Sequence, residues 1–326
     1  MSRWLYAVWY EQARGGFLLW PLEGLFRAIA FVRRLLFRMG ALKAYSVDAH
    51  IVVVGNIAVG GAGKSPLTAW LASELTRAGY RVAIVSGGYG GNARGAPLLV
   101  TDNTEAALCG DEAKMLAQST GVPVYVSRDR VAACVRASLD GAQIVLCDDG
   151  LQHYRLRRDV EIAVVDGERL HGNGHCLPAG PLREPVRRLD AVDLVVYNGG
   201  SGRAPSFELH IDEAINIETG ARKVLSDFAG ARVHAFAGIG HPQRFFKALR
   251  AHGLTVNAVS LGDHALASEQ QRHPAEPGEV LMTDKDAVKY ADLTARHWRV
   301  PATLLMSESD VSRVLAAVTP PAPTTE

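Results

Sequence analysis

Short β-branched runs alternate with helical stretches along most of this 326-residue chain, and the alternation predicts an α/β fold with a mostly parallel sheet. Two local features sharpen that expectation. The run Ile51-Val52-Val53-Val54-Gly55-Asn56 leads into Gly60-Gly61-Ala62-Gly63-Lys64-Ser65-Pro66, which reads as strand, glycine-rich loop and helix start. Further on, Ile144-Val145-Leu146-Cys147 ends in Asp148-Asp149-Gly150, an apolar strand closed by paired acids. Together they predict a P-loop NTPase-like domain. The rest of the chain adds a second, smaller α/β domain and an N-terminal membrane-associated helix.

Each part of the loop has a chemical reason. Gly60, Gly61, Ala62 and Gly63 let successive backbone N–H groups curl around a phosphate. Lys64 reaches the β- and γ-phosphates, Ser65 offers its hydroxyl to Mg²⁺, and Pro66 fits the first helical turn, where no N–H is needed. The strict pattern has Gly where this chain has Ala58, and the Gly60-Gly61 pair supplies the same backbone freedom. Asp148 and Asp149 are expected opposite Ser65 as Mg²⁺ ligands. The motif therefore calls for a nucleoside triphosphate and Mg²⁺.

No side chain of the loop removes a proton from an acceptor, so a general base must come from elsewhere. Of the 11 histidines, His153, His171, His175 and His264 lie in loop-like contexts, and spacing does not choose among them. The segment Pro178-Ala179-Gly180-Pro181-Leu182-Arg183-Glu184-Pro185 reads in two ways. It is either a proline-punctuated connector or a rigid loop that presents Arg183 as a clamp on phosphate or substrate.

Composition bounds the rest. With 48% hydrophobic and 21% charged residues the chain is globular, and its length suits two domains. Cys109, Cys134, Cys147 and Cys176 are widely spaced, which argues against a zinc site or disulfide framework and fits a reducing compartment. The net charge of +1 hides an asymmetry: the first 50 residues carry +4 and the remainder −3. A basic head on an acidic body points to an anionic surface.

Residues 17–39 are apolar and long enough to span a bilayer, yet they hold Glu23, Arg27, Arg33, Arg34 and Arg38. Each charge at membrane depth costs about 2.5–3.5 kcal/mol. A helical count places Leu22, Leu25, Ile29, Val32, Leu36 and Met39 on one face, and Glu23, Arg27, Arg34 and Arg38 on another. That is the pattern of an interfacial anchor with arginines toward lipid phosphates. A short, partly inserted helix through Trp20 and a helix packed on the protein's own core are the other readings. A cleaved signal peptide fits poorly, because the uncharged stretch is short and broken by Pro21.

In linear order the chain predicts helices over 66–78, 111–119 and 128–139, with strands at 81–85, 122–126, 143–147, 161–165 and 194–197. Gly, Ser and Pro crowd 199–205 and mark a boundary. Beyond it come strands at 232–237, 254–260, 279–282 and 302–306, and helices over 242–251 and 284–290. The expected layout is a membrane-anchoring segment (1–44), a nucleotide-binding domain (45–204), a second α/β domain (205–319) and a disordered Pro/Thr-rich tail (320–326). Basic residues concentrate in the first segment without a stripe of sheet aromatics, so no nucleic-acid partner is expected.

The ordered series of motifs resembles the tetraacyldisaccharide 4'-kinase family, the lipid A 4'-kinases of Gram-negative bacteria. It runs from the glycine loop through Gly110-Asp111-Glu112, Asp148-Asp149-Gly150-Leu151-Gln152-His153-Tyr154-Arg155-Leu156 and the loop around Arg183. It continues in Gly238-Ile239-Gly240-His241-Pro242, Asp263-His264 and Lys285-Asp286-Ala287-Val288-Lys289. The resemblance implies transfer of the γ-phosphate of ATP to the 4'-hydroxyl of a tetraacylated glucosamine disaccharide 1-phosphate. It implies action at the cytoplasmic face of the inner membrane, and an active site in the cleft between two α/β domains. It assigns catalysis to Asp111 supported by His264, and substrate binding to Gln152, His153, Arg183 and Glu184. Two positions depart from the family pattern. Gly87 stands where relatives usually carry Arg, so any phosphate contact made by that Arg is either dropped or supplied by another residue such as Arg128 or Arg183, and Asp284 precedes Lys285 where Glu is commoner. The runner-up reading is a membrane-associated regulatory ATPase of the deviant-Walker type, although its second lysine position is Val59 here.

Overall fold

A computed structural model describes residues 3–11, 13–200 and 202–320; the expected disordered tail, Pro320 apart, lies outside them. Two helices, α1 (Arg3–Tyr10) and α2 (Trp20–Arg38), come first. The chain then forms β1 (His50–Gly55), α3 (Lys64–Arg77), β2 (Val82–Ser86), β3 (Leu98–Leu99), α4 (Ala106–Cys109), α5 (Asp111–Thr120), β4 (Val124–Val126), α6 (Arg130–Leu139), β5 (Ile144–Asp148), β6 (Val160–Asp166), β7 (Leu194–Asn198) and β8 (Ser206–His210). Next are β9 (Glu213–Asn216), β10 (Arg222–Val224), β11 (Arg232–Ala237), α7 (Pro242–Ala251), β12 (Thr255–Ser260), α8 (Glu269–Arg272), β13 (Val280–Thr283), α9 (Asp284–Ala287) and β14 (His297–Val300). The last elements are β15 (Thr303–Met306) and α10 (Glu308–Val318).

These strands make two sheets. The larger runs β15-β8-β7-β6-β1-β5-β2-β4-β3, parallel from β8 to β4, with antiparallel strands only at its two edges. Its central strands are buried along nearly their whole length, which is why they read as unbroken Val/Ile/Leu runs. On one face, α3 presents Leu67, Leu71 and Leu75, four residues apart and fully buried, to a core shared with α5 and α10. The smaller sheet runs β10-β9-β14-β13-β11-β12, with β14, β13, β11 and β12 parallel and β9 and β10 antiparallel at one edge.

The domain boundary expected at 204/205 is corrected by strand pairing. β8 adds to β7, and β15 returns after the second sheet to pair with β8. Val314 and Val318 of α10 then complete the core of the first sheet. The first unit thus includes 206–210 and 303–318, and the second sheet is an insertion between them. The Gly/Pro cluster at 199–205 is a turn within one sheet, and the strand β14 and helix α10 were not expected at all. The phosphate-loop helix also starts at Lys64 rather than at 66, because Gly63, with φ 94°, ends the loop just before it.

The N-terminal segment corrects the expected charge pattern. Glu23 does not lie on an outward polar face with Arg34 and Arg38. It is the buried residue of α2, accepting hydrogen bonds from Cys176 N at 2.9 Å and His175 Nδ1 at 2.7 Å. A carboxylate taken out of water needs such partners. α1 closes over the same loop, with Trp9 Nε1 donating to Pro178 O at 3.0 Å. The opposite face of α2 stays uncovered: Leu25, Ile29 and Val32 are 59%, 61% and 50% exposed. Among the described residues, no helix is long and apolar enough to cross a membrane.

Leu71→Ala removes a side chain with no room to collapse into, and is expected to cost about 2–5 kcal/mol in denaturant unfolding.

Candidate functional site

β1 and β5 are adjacent and parallel, with Val54 opposite Asp148 in register. Their carboxyl ends therefore deliver the glycine loop and the acidic pair side by side, where ligands collect in such sheets. Ser65 Oγ donates to Asp148 Oδ2 at 2.9 Å, and Thr68 Oγ1 to Asp148 Oδ1 at 3.2 Å. Asp148 is fully buried. Burial, with Glu112 and Asp149 nearby and only partly offset by Lys64, pushes its carboxyl up to about 6.

Asp149 is held differently. Its φ of 50° turns the backbone sharply, and its carboxylate meets Arg183 Nη1 at 3.0 and 3.1 Å and Lys64 Nζ at 3.6 Å. Burial would raise its pKa, but these two cations outweigh it and hold the carboxyl below its ordinary value. Asp148 and Ser65 are thus the oxygen donors that fit a divalent cation, while Asp149 is engaged by cationic side chains.

The four expected substrate residues separate. Arg183 reaches Gln152 Oε1 at 3.5 Å, and Gln152 Nε2 donates to Asn56 O at 3.0 Å, so both frame the mouth of the loop. Glu184 does not: its buried carboxylate accepts from Tyr154 Oη and pairs with Arg188 Nε at 3.0 Å. The side chain is spent bracing the segment behind Arg183. His153 is half-buried, and burial together with Arg130 and Arg158 depresses its imidazole to about 4, so it stays neutral. Of the other loop histidines, His175 is tied to Glu23, and His171 lies with Asp166 and Arg169 against the back of the glycine loop.

The missing arginine at 87 has a structural answer that the sequence did not offer. A Cβ at Gly87 would come within 2.8 Å of Arg130 Nη2. Arg130 occupies that space and donates to Asp149 O at 2.8 Å and Asp148 O at 3.3 Å. Arg183 is engaged with Asp149 instead, and only the fold reveals Arg130.

Across from the loop the second unit contributes its own groups. Asp111 opens α5, where the helix N-terminus favours negative charge. His264, in a left-handed conformation at φ 61°, places Nδ1 at 3.0 Å from both Asp111 oxygens. Lys285 Nζ meets Glu112 Oε1 and Asp263 Oδ1, each at 3.0 Å, and Tyr89 packs edge-on against the imidazole at 5.1 Å. Burial alone would raise the Asp111 pKa, but the His264 hydrogen bond and the charges of Lys285 and Lys289 hold it below its ordinary value. The same hydrogen bond raises His264. Burial disfavours the Lys285 ammonium, yet Glu112, Asp263 and Asp111 outweigh it and raise its pKa.

A loop built to cradle phosphates, beside a buried carboxylate that an imidazole from the inserted unit reaches, fits the class of P-loop phosphotransferases. The family described as Tetraacyldisaccharide-1-P 4'-kinase matches residues 16–319, and the chain belongs to it. The Tetraacyldisaccharide 4'-kinase of Azoarcus sp. (strain BH72) is 45% identical over 95% of this chain and 94% of its own length. That of Vibrio cholerae is 43% identical over 89% of each. The crystal structure of LpxK from Aquifex aeolicus in complex with ATP is similar with a TM-score of 0.76 at 27% identity, covering 92% of this chain and 98% of that one.

The Asp111–His264 pair makes stability depend on pH. His264, raised above its ordinary 6.5, contributes fully below that value and loses its contribution as pH rises through the folded pKa. Asp111, lowered below 3.8, contributes above that value and loses its contribution as pH falls through the folded pKa. His264→Ala is therefore expected to lower the melting temperature most between pH 3.8 and 6.5, with the difference shrinking on either side. Thermal melts of both proteins across pH check this.

Proposed function

We propose that this chain transfers the γ-phosphate of ATP to the 4'-hydroxyl of a tetraacylated glucosamine disaccharide 1-phosphate, forming lipid IVA. The observation that carries the reading is the Asp111–His264 contact at 3.0 Å, formed between the first unit and the insertion. Family membership supports the same acceptor, and it leaves the regulatory-ATPase alternative without support.

In this reading Asp111 accepts the proton of the 4'-hydroxyl as its oxygen bonds to phosphorus and the bond to the ADP leaving oxygen breaks. His264, protonated on Nδ1, orients the carboxylate and keeps it ionised. The glycine-loop N–H groups and Lys64 hold the phosphates. Ser65 and Asp148 would hold Mg²⁺, which would supply positive charge against the phosphates of ATP. Binding there also relieves the buried carboxyl of the penalty that raises its pKa. Arg183 and Gln152 flank the loop mouth and are placed to take an anionic or hydroxyl group of the acceptor.

The uncovered apolar face of α2, with Phe17, Leu18 and Trp20 also exposed, supports seating on a lipid surface. The +4 charge of the first 50 residues supports an anionic one, at the cytoplasmic face of the inner membrane. The acceptor is itself a membrane lipid, so the helix that touches the bilayer and the loop that carries Arg183 are tied together by Glu23 and His175.

Two measurements test this reading. With γ-labelled ATP, Mg²⁺ and the tetraacyldisaccharide 1-phosphate, label is expected in the lipid, absent with Lys64→Ala, and reduced about 10²–10⁴-fold with Asp111→Asn. Label released only as free phosphate would refute the kinase. In sedimentation with anionic phosphatidylglycerol vesicles, replacing Leu25, Ile29 and Val32 together by Ser is expected to weaken partition by at least roughly tenfold.

A further inference from the structure

In the motif Lys285-Asp286-Ala287-Val288-Lys289, the contacts of Lys289 reach beyond its charge on Asp111. Lys289 is buried, its side chain 5% exposed, with Nζ at 2.8 Å from Asp286 Oδ1. The same ammonium lies 3.7 Å from Asp111 Oδ2 and 3.4 Å from Ala265 O. Asp286, fully buried, accepts in turn from Gly238 N at 3.0 and 3.1 Å and from Thr283 Oγ1 at 2.7 Å. Gly238 O receives the backbone N–H of His264 at 3.3 Å.

The consequence is geometric. His264 sits in a backbone conformation that a side-chain-bearing residue adopts only when its surroundings impose it. The Lys289–Asp286 pair pins Ala265 on one side of it and, through Gly238, the backbone that receives its own N–H on the other. The same ammonium then touches the carboxylate that His264 holds. Lys285 differs: its partners are Glu112 and Asp263, with His264 Nε2 at 3.4 Å, and it makes no comparably close contact with Asp111.

We infer that Lys289 is a positioning residue for the phosphoryl-transfer reaction, fixing the His264 backbone through Asp286 and Ala265 while its ammonium stands beside the Asp111 carboxylate. The inference rests on the reading of Asp111 as the base. Three cationic groups face Asp111, namely His264, Lys285 and Lys289, and Glu112 and Cys109 lie next to it on its own segment. Removing one cation raises the pH at which the carboxylate forms, so the acid limb of the rate profile moves to higher pH.

Three variants test it: Lys289→Met, Lys289→Arg and the double variant Asp286→Asn/Lys289→Met. The double variant removes both charges of the buried pair and so leaves no uncompensated carboxylate if the single one fails to fold. We expect the double variant, folded by its melting transition, to lose on the order of 10²-fold in kcat. KM for ATP and lipid should stay within roughly twofold, and the acid limb should rise by about one pH unit. Lys289→Arg should keep the wild-type limb and most of kcat. An unshifted limb with wild-type kcat overturns the inference, as does a pH-independent loss that Arg does not restore. Asp111→Asn measured alongside separates the two levels: if it retains wild-type kcat, the base assignment fails, whereas its inactivity beside a normal Lys289 variant fails the positioning role alone.

Discussion

The site depends on keeping negative charge buried at the carboxyl ends of parallel strands. Asp148, Asp149, Asp111 and Glu112 crowd one end of the first sheet, and a phosphate ligand adds to the burden. Each carboxylate is compensated from a different part of the chain. Asp149 draws on Lys64 and Arg183, Asp111 on His264 and Lys289, and Glu112 on Lys285. Asp148 has hydrogen bonds from Ser65 and Thr68 but no cation within ion-pair distance, and burial pushes its carboxyl up to about 6. That imbalance is what a divalent ion corrects, so the least compensated carboxylate is the one suited to hold it.

The same compensation joins the two units. The cations that serve Asp111 and Glu112 come from the inserted unit, so its seating is electrostatic. The seam is also tight at the backbone. A Cβ on Gly240 would come within 2.6 Å of Gly61 N, so the 238–241 loop lies directly on the phosphate loop. Arg244 adds a latch to Asp166 and Glu168, both at 2.8 Å.

What was legible in the sequence is what is local. The strand–loop–helix around Lys64 and the strand ending at Asp148 are short-range patterns, and the structure places both within a residue or two of the expected bounds. The pairing of β15 with β8 bridges almost a hundred residues, and no periodicity reports it. Glu23 looked like part of a charged stripe because its partners, His175 and Cys176, lie over 150 residues away in sequence. Asp111 and His264 were within reach only through the ordered motifs of a family, since spacing left several histidines equivalent. Arg130 carried no signal, because what marks it is its packing against Gly87, more than 40 residues away in sequence.

The insertion of the second sheet has a mechanical meaning. The chain leaves the first sheet after β8 and re-enters it at β15, and these two strands are neighbours. Two tethers side by side work as a door hinge does: they oppose twisting and sliding and leave a single easy swing about the line joining them. Gly240 and His264 both ride on the segment between these tethers, so a single seating of the inserted unit sets both its contact with the phosphate loop and the imidazole at Asp111.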